Sequence, residues 1–248
     1  MNRFFVAPSA ILGEQVAFPP DLARQIDKVL RLDVHTSQVL VLDNSGKSYL
    51  VQLTGWQGKT LIGRIVETYL PVQEDPMGLE LAFSLSKREK LEWILQKGTE
   101  LGVTRFRPFV SERSLDRSLQ LAPSRLTRWQ SILREAAEQC RRDRLPNLDE
   151  PLPYAQVIQA APRSALRLIA WEEADPSQQL SANYLAQVAP GPIRSVVVLV
   201  GPEGGLSAEE VTLAESYGFH TFSLGRRTLR METACLAACA ILSNLIES

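Results

Sequence analysis

Short apolar runs separated by turn-forming residues fill the first part of the chain. The segment DLARQIDKVLRL (21–32) carries apolar residues on one face at helical spacing, which predicts a short helix. These residues are Leu22, Ile26, Val29 and Leu30. Three β-like runs follow at 38–43, 48–53 and 60–67, and Asn-Ser-Gly joins the first two as a hairpin turn. One helix followed by several strands predicts a small barrel.

From residue 78 onwards, strand-length apolar runs alternate with segments of helical spacing. The predicted strands are 79–85, 106–110, 165–171, 195–200 and 220–224, and the predicted helices are the one after Ser86 and those at 123–141, 182–188, 207–217 and 232–247. Strands that alternate with helices are typical of an α/β layer with a mostly parallel sheet. The polar segment QEDP (73–76) predicts a linker. We therefore expect one domain over 1–72 and another over 78–248.

Composition excludes several classes of protein. Of the 248 residues, 45% are hydrophobic and 22% are charged, which excludes a disordered or collagen-like chain. A transmembrane helix needs about 20 mostly apolar residues, and the longest apolar run, 234–242, is much shorter. No signal peptide is recognisable. Cys140, Cys235 and Cys239 lack zinc or redox spacing, so we expect buried thiols in a reducing cytoplasm.

The charges are unevenly distributed, although the net charge is only −1. Residues 87–144 contain 14 basic and 8 acidic side chains. Three of the six basic residues in 151–248 are Arg226, Arg227 and Arg230. Such clusters can neutralise phosphates, which indicates nucleic acid as a partner. A solvated helix face with salt bridges is the alternative.

A glycine-rich loop, GPEGG (201–205), follows the strand predicted at 195–200. Ser207 and Glu210 have capping-box spacing, so a helix is expected to start there. Ligands of open α/β sheets bind beyond the carboxyl ends of strands, and glycines permit close approach of the backbone. Glu203 makes this loop a poor phosphate cradle and favours a neutral or cationic ligand with a purine ring. A tight structural turn is the alternative.

A second loop, RRTLR (226–230), also lies between a strand and a helix. Its arginines are unsuited to a core and suit a phosphate or a developing anion. The helix after it is apolar on most sides, which predicts a buried helix that contributes to a subunit interface.

The two loops together, GPEGGLSAEE and LGRRTLRMETA, resemble the signature of the SPOUT class of AdoMet-dependent RNA methyltransferases. More narrowly, the chain resembles the RsmE family of 16S rRNA (uracil-N3) methyltransferases. The segments KLEWILQKGTELGV (90–103) and AAEQCRR (136–142) are similar to further motifs of that family. The N-terminal KVLRL and the strands after it resemble its PUA-like RNA-binding domain, although HTSQ (35–38) replaces the usual Gly-Asp turn.

The resemblance implies a fold, a cofactor and partners. The fold is a SPOUT domain with a C-terminal trefoil knot, preceded by a small PUA-like β-barrel. S-adenosyl-L-methionine is the implied cofactor, a homodimer through the knot domain is the implied assembly, and 16S rRNA in the small ribosomal subunit is the implied substrate, with no metal and no membrane. The implied cofactor-binding residues are Leu199, Val200, Gly201, Glu203, Gly204, Leu224, Gly225, Leu229, Arg230 and Thr233.

The implied reaction places a methyl group on N3 of uracil, an atom of the Watson–Crick edge, so the base must be unpaired or flipped out. We expect an arginine to stabilise the uridinate anion, with Arg230 the first candidate and Arg142 the second. Glu138 or Glu232 is expected to accept the proton, or else to act as a cap or ion-pair partner. The expected RNA-binding residues are Arg226, Arg227, Lys87, Arg88, Arg113 and Arg117.

Two other functions compete with this interpretation. A SPOUT 2′-O-ribose methyltransferase has similar loops, and the segment at 136–142 and the PUA-like start favour the uracil enzyme over it. A non-catalytic RNA-binding ribosome-assembly factor would use the barrel as its binding module, and the two intact loops argue against it. A nucleotide-dependent oxidoreductase is disfavoured because the chain has no dinucleotide fingerprint.

Overall fold

The computed structural model describes residues 1–70 and 78–247, and the chain forms two compact units. The first unit comprises Met1–Glu74 and Ala137–Leu145, and the second comprises Asp75–Ala136 and Pro146–Ser248. The predicted linker, 73–76, lies outside the described residues.

A six-stranded sheet forms most of the first unit. Its strands are β1 (Arg3–Phe5), β2 (Ile11–Leu12), β3 (Gln15–Phe18), β4 (Gln38–Leu42), β5 (Ser48–Gln57) and β6 (Thr60–Tyr69). They lie in the order β1-β4-β5-β6-β3-β2, and every pair is antiparallel except β1 with β4. The three strands predicted in this part of the chain are confirmed. Phe4, Phe18, Val41 and Leu53 are buried in its core.

The helix predicted over 21–32 is interrupted, and its predicted apolar face is wrong in its second half. Helix α1 (Pro20–Arg24) continues into a π-helical turn at Gln25–Val29. Ile26 is buried, but Val29 is 70% exposed. The N–H of Leu30 bonds to the carbonyl of Gln25, five residues back. This wider turn rotates the following residues off the buried face.

Residues 137–145 belong to the first unit, although a long segment of the second unit, residues 75–136, separates them from the rest of the first in sequence. Ala137 and Leu145 pack in a small apolar cluster with Phe5. The N–H of Leu145 donates to Asn44 Oδ1 at 2.7 Å. The sequence pattern had suggested no such association, because the predicted boundaries place this segment inside the second domain.

A seven-stranded sheet organises the second unit. Its strands are β7 (Gly78–Ser84), β8 (Val103–Val110), β9 (Asn147–Leu148), β10 (Leu152–Pro153), β11 (Leu166–Ala170), β12 (Ser195–Val200) and β13 (His220–Phe222). The order is β10-β8-β7-β12-β11-β13, with β9 also on β8, and every described pair is parallel. The expected α/β fold with a mostly parallel sheet is confirmed.

Helices alternate with these strands as predicted. They are α2 (Arg88–Glu100), α3 (Pro123–Gln139), α4 (Tyr154–Gln159), α5 (Ala182–Val188), α6 (Ala208–Ser216) and α7 (Met231–Glu247). Of these, only the short α4 was not predicted. Single 3₁₀ turns occur at Pro8–Ala10 and Pro176–Gln178.

Both faces of the parallel sheet are covered, and β12 shows why its sequence is continuously apolar. Val196, Val198 and Val200 belong to one core cluster, while Val197 and Leu199 belong to a second cluster. Because side chains alternate between the two faces of a strand, every position of a central strand then needs an apolar residue.

Helix α7 is packed in the first of these clusters, and two of the cysteines lie on it. Cys235 and Cys239 are fully buried, as expected, whereas Cys140 is half-buried. Burial raises the pKa of Cys239 to about 12 and also raises that of Cys235. Both thiols therefore stay protonated and serve as small apolar side chains.

Candidate functional site

A cavity of about 330 Å³ lies at the carboxyl ends of β11, β12 and β13. It is the edge at which ligands of parallel sheets bind. Three loops form its walls, and they supply residues 170–172, 200–203, 205–206, 222–231 and 234. Both glycine-bearing loops that the sequence singled out therefore meet at one cavity.

The GPEGG loop is fixed at its end by the start of α6. The Ser207 hydroxyl accepts a hydrogen bond from the Glu210 N–H at 3.3 Å, and Glu210 Oε2 accepts one from the Ser207 N–H at 3.0 Å. This confirms the predicted capping box. Gly205 has a φ of +72°, and a Cβ there would lie 2.9 Å from Glu172 Oε1. The positive φ favours glycine here, and a Cβ would also displace the end of the Glu172 side chain.

The second loop supplies most of the positive charge of the cavity. Arg226, Arg227 and Arg230 line it and are exposed, and Leu224 and Leu229 contribute half-buried apolar surface. None of the three guanidinium groups has an ion-pair partner among the described residues. They are available to an anionic ligand.

Glu203, in the middle of the GPEGG loop, has partners within the protein. Its side chain accepts a hydrogen bond from the Ser86 hydroxyl and pairs with Lys90 Nζ at 2.9 Å. Burial alone would raise the pKa of Glu203, but the bonds from Ser86 and Lys90 outweigh it and lower the pKa. The bond to Glu203 is the main cause of the raised pKa of Lys90. The negative charge that we expected to favour a cationic ligand is therefore paired with Lys90 within the protein.

A third wall, which the sequence did not predict, comes from the end of β11. Ala170, Trp171 and Glu172 line the cavity there. Ala170 pairs in register with both Val200 and Phe222, so β11 lies between the two strands that carry the predicted loops. The order of strands in the sheet brings this wall to the site, and strand order is not visible in the apolar pattern.

The predicted cofactor-binding residues divide into two groups. Seven line the cavity, namely Val200, Gly201, Glu203, Leu224, Gly225, Leu229 and Arg230. Three do not. Leu199 points into the core on the other face of the sheet. The Gly204 carbonyl accepts a bond from Arg113 at 3.0 Å. Thr233 is exposed in the first turn of α7.

The four predicted catalytic residues fall in different units. Arg230 lines the cavity, and Glu232, at the start of α7, pairs with Lys90 Nζ at 3.2 Å. Glu138 and Arg142 belong to the first unit. There Glu138 Oε1 accepts a hydrogen bond from the Phe5 N–H at 2.9 Å. Each of the two carboxylates thus has a structural partner.

The predicted RNA-binding residues are all exposed, with different environments. Arg226 and Arg227 line the cavity. Lys87 and Arg88 lie at the start of α2, where Arg88 pairs with Glu92 at 2.6 Å. Arg117 donates to the backbone carbonyl of Glu112. These assignments stay predictions.

The described residues show neither a metal cluster nor a membrane span. No group of three or more His, Cys, Asp or Glu side chains there could hold a metal ion. Within the same residues, no helix is long and apolar enough to cross a membrane.

Comparison with known proteins defines the class. A family model described as an RNA methyltransferase domain matches residues 73–243. A Synechocystis protein named ribosomal RNA small subunit methyltransferase E is 35% identical over 99% of this chain and 78% of its own length. A Bacillus subtilis protein of the same name is 32% identical over 100% of this chain and 98% of its own length. The chain belongs to the ribosomal RNA small subunit methyltransferase E family, which confirms the resemblance.

A solved structure agrees with this assignment. The ribosomal RNA small subunit methyltransferase E of Neisseria gonorrhoeae, bound to S-adenosyl methionine, is 30% identical and superimposes with a TM-score of 0.85. The match covers 99% of this chain and 98% of that one. The similarity therefore extends over both units and not only over the matched methyltransferase domain.

Proposed function

We propose that this protein methylates N3 of a uridine in 16S rRNA of the small ribosomal subunit, with S-adenosylmethionine as the methyl donor. The observation that carries the proposal is the cavity between the two motif loops. It occurs in a chain that shares its fold with a relative bound to S-adenosyl methionine. The class of reaction follows from the family to which the chain belongs.

The cavity fits the cofactor in size and chemistry. Its volume of about 330 Å³ is within the range of small-molecule sites. Val200, Leu224 and Leu229 supply apolar surface for an aromatic ring, and Gly201 lines the cavity with backbone alone. The Gly225 N–H is bonded to Ser223 Oγ at 3.1 Å. These residues would hold the cofactor, which supplies an electrophilic methyl group when bound.

Arg230 is the residue that we assign to the uracil. Its guanidinium is exposed on the cavity wall and has no ion-pair partner among the described residues, so it can donate to a uracil oxygen. Negative charge develops on that oxygen as N3 loses its proton, and a donor already in place stabilises it. Arg142 is the second candidate for this role.

Both carboxylates predicted as proton acceptors have partners within the protein. Glu232 is paired with Lys90, and Glu138 accepts the bond from the Phe5 N–H. These partners support the structural alternative for both carboxylates, in which they act as an ion-pair partner and a cap. We therefore propose that solvent takes the proton from N3 once an arginine stabilises the anion.

The proposal also includes a PUA-like barrel, a trefoil knot, a homodimer and a cytoplasmic location. The mainly antiparallel sheet of the first unit supports a PUA-like barrel over 1–72 that binds RNA. Strand β12 lies between β7 and β11, so the chain returns to the middle of the sheet after β11, and this topology supports a SPOUT domain over 78–248 with a trefoil knot. The partly exposed apolar side chains Ile241, Leu245 and Ile246 on α7 support a homodimer through that domain. The cytoplasm, where ribosomes are assembled, is the proposed location.

The test is methyl transfer from labelled S-adenosylmethionine to 30S subunits and to naked 16S rRNA from a strain that lacks the modification. Label in 3-methyluridine is the expected result, and the better substrate shows whether an assembled subunit is needed. Label in a 2′-O-methyl nucleoside would overturn the assignment to uracil. Absence of both label and cofactor binding would favour the RNA-binding assembly factor.

In the same assay, Arg230→Ala should lower the transfer rate on the order of 100-fold.

A further inference from the structure

Lys90 forms ion pairs with two elements that border the cavity, although it does not line the cavity itself. It lies in the first turn of α2, and its ammonium group is 2.9 Å from Glu203 Oε1 and 3.2 Å from Glu232 Oε2. Glu203 is in the GPEGG loop, and Glu232 directly follows the arginine loop at the start of α7. One side chain thus connects the two loops that form opposite walls.

This group of charges is partly shielded from water. The exposed fractions of the side chains are 24% for Lys90, 23% for Glu203 and 17% for Glu232. Ser86 adds a hydrogen bond to Glu203. With the ammonium group removed, two carboxylates would face each other in a half-buried space, and like charges at that distance repel. We expect the GPEGG loop, which carries Glu203, then to move away from the start of α7, which carries Glu232.

We propose that Lys90 is a positioning residue that sets the separation of the two cavity walls, by holding the GPEGG loop through Glu203 and the arginine loop through Glu232. This inference rests on the proposed function, because it concerns the cavity assigned to the cofactor. Lys90 needs no contact with cofactor or RNA to act in this way.

The role differs from a general contribution to folding. Helix α2 is attached to the core by Leu91, Ile94 and Leu95, all fully buried. Lys97, on the same helix, pairs at 2.8 Å with Glu100 of its own helix. Its ion pair connects no other element. Lys97→Met is therefore a matched control for Lys90→Met.

The experiment compares the Michaelis constants of the two substrates in full-length protein. Lys90→Met should raise the KM for S-adenosylmethionine at least about 10-fold, because the ion pairs with Glu203 and Glu232 are lost. The KM for RNA should rise by a smaller factor, since Arg226 and Arg227 keep their charges although their loop loses one contact. Lys90→Arg, which keeps the charge and the donors, should restore most of the cofactor affinity, and Lys97→Met should match the wild type.

A merely structural role gives another pattern. Loss of folded protein would lower the apparent kcat and leave both KM values unchanged, which would overturn the inference, as would an unchanged cofactor KM in folded Lys90→Met. If Lys90→Met fails to fold, Glu232→Gln is the second variant, because it removes the ion pair between Lys90 and Glu232. An unchanged KM for the cofactor in Glu232→Gln would show that the inference is wrong. Wild-type protein without cofactor binding would instead overturn the proposed function.

Discussion

Five charged side chains line the cavity, and they differ in whether the protein itself supplies a counter-charge. Glu203 is balanced by Lys90. Glu172 and the three arginines of the second loop have no ion-pair partner among the described residues. The balanced charge holds a loop in place, and the others are left for ligands. This distinction cannot be predicted from the sequence, because Lys90 occupies an ordinary polar position of an amphipathic helix.

The charge of Glu203 makes the stability of the protein depend on pH. Its pKa is held below the ordinary value of 4.5, so ionisation stabilises the folded state above that pH, and the contribution is lost as pH falls through the lowered pKa. Glu203→Gln should therefore be less stable than the wild type at about pH 7, and the difference should shrink at about pH 3.5. Denaturant unfolding at both pH values measures it.

Exposed Glu215 on α6 provides the control for that experiment, because Glu215→Gln removes a carboxylate that has no ion pair among the described residues. A stability difference between Glu203→Gln and the wild type that is independent of pH would show that the lowered pKa has no part in it.

Among the elements, α6 shows how a short sequence signal fixes a loop of the site. Ser207 is buried, and its hydroxyl satisfies the N–H of Glu210. Ser207→Ala should lower the free energy of unfolding by about 1 kcal/mol, because that N–H loses its partner at the helix start. Chemical denaturation measures the loss. Ser216→Ala, at the exposed end of the same helix, should change it by less than about 0.5 kcal/mol.

How well an element could be predicted depended on its length and periodicity. The strand at Ser195–Val200 was predicted because five consecutive β-branched or leucine residues have one simple explanation, a strand buried on both faces. The two-residue strands Asn147–Leu148 and Leu152–Pro153 have no period to detect. The π-helical turn at Gln25–Val29 was missed because apolar spacing alone assumes an unbroken α-helix.

At the scale of the whole molecule, the net charge of −1 gives no long-range attraction to RNA, so local clusters must provide it. Each contact between an arginine and a phosphate releases counterions, and affinity then falls with salt. Replacing both Arg226 and Arg227 with Gln should reduce the slope of log affinity against log salt by about one to two. Binding of 16S rRNA fragments across a salt series measures it.

Replacement of Arg163 and Arg194, two exposed arginines that do not line the cavity, is the control for charge alone. If the slope of log affinity against log salt decreases equally in that double variant, the second loop is not the specific RNA contact.

The position of β12 in the middle of the parallel sheet constrains when this protein can fold during its own synthesis. Strands β7 and β11 are made first, yet neither pairs with the other, and both wait for the strand that ends at Val200. Until then, β7 has one unpaired edge and β11 has two, because β13, its other partner, is made later still. Open strand edges are a known route to aggregation. This rRNA methyltransferase is thus open to aggregation while its own synthesis is still in progress.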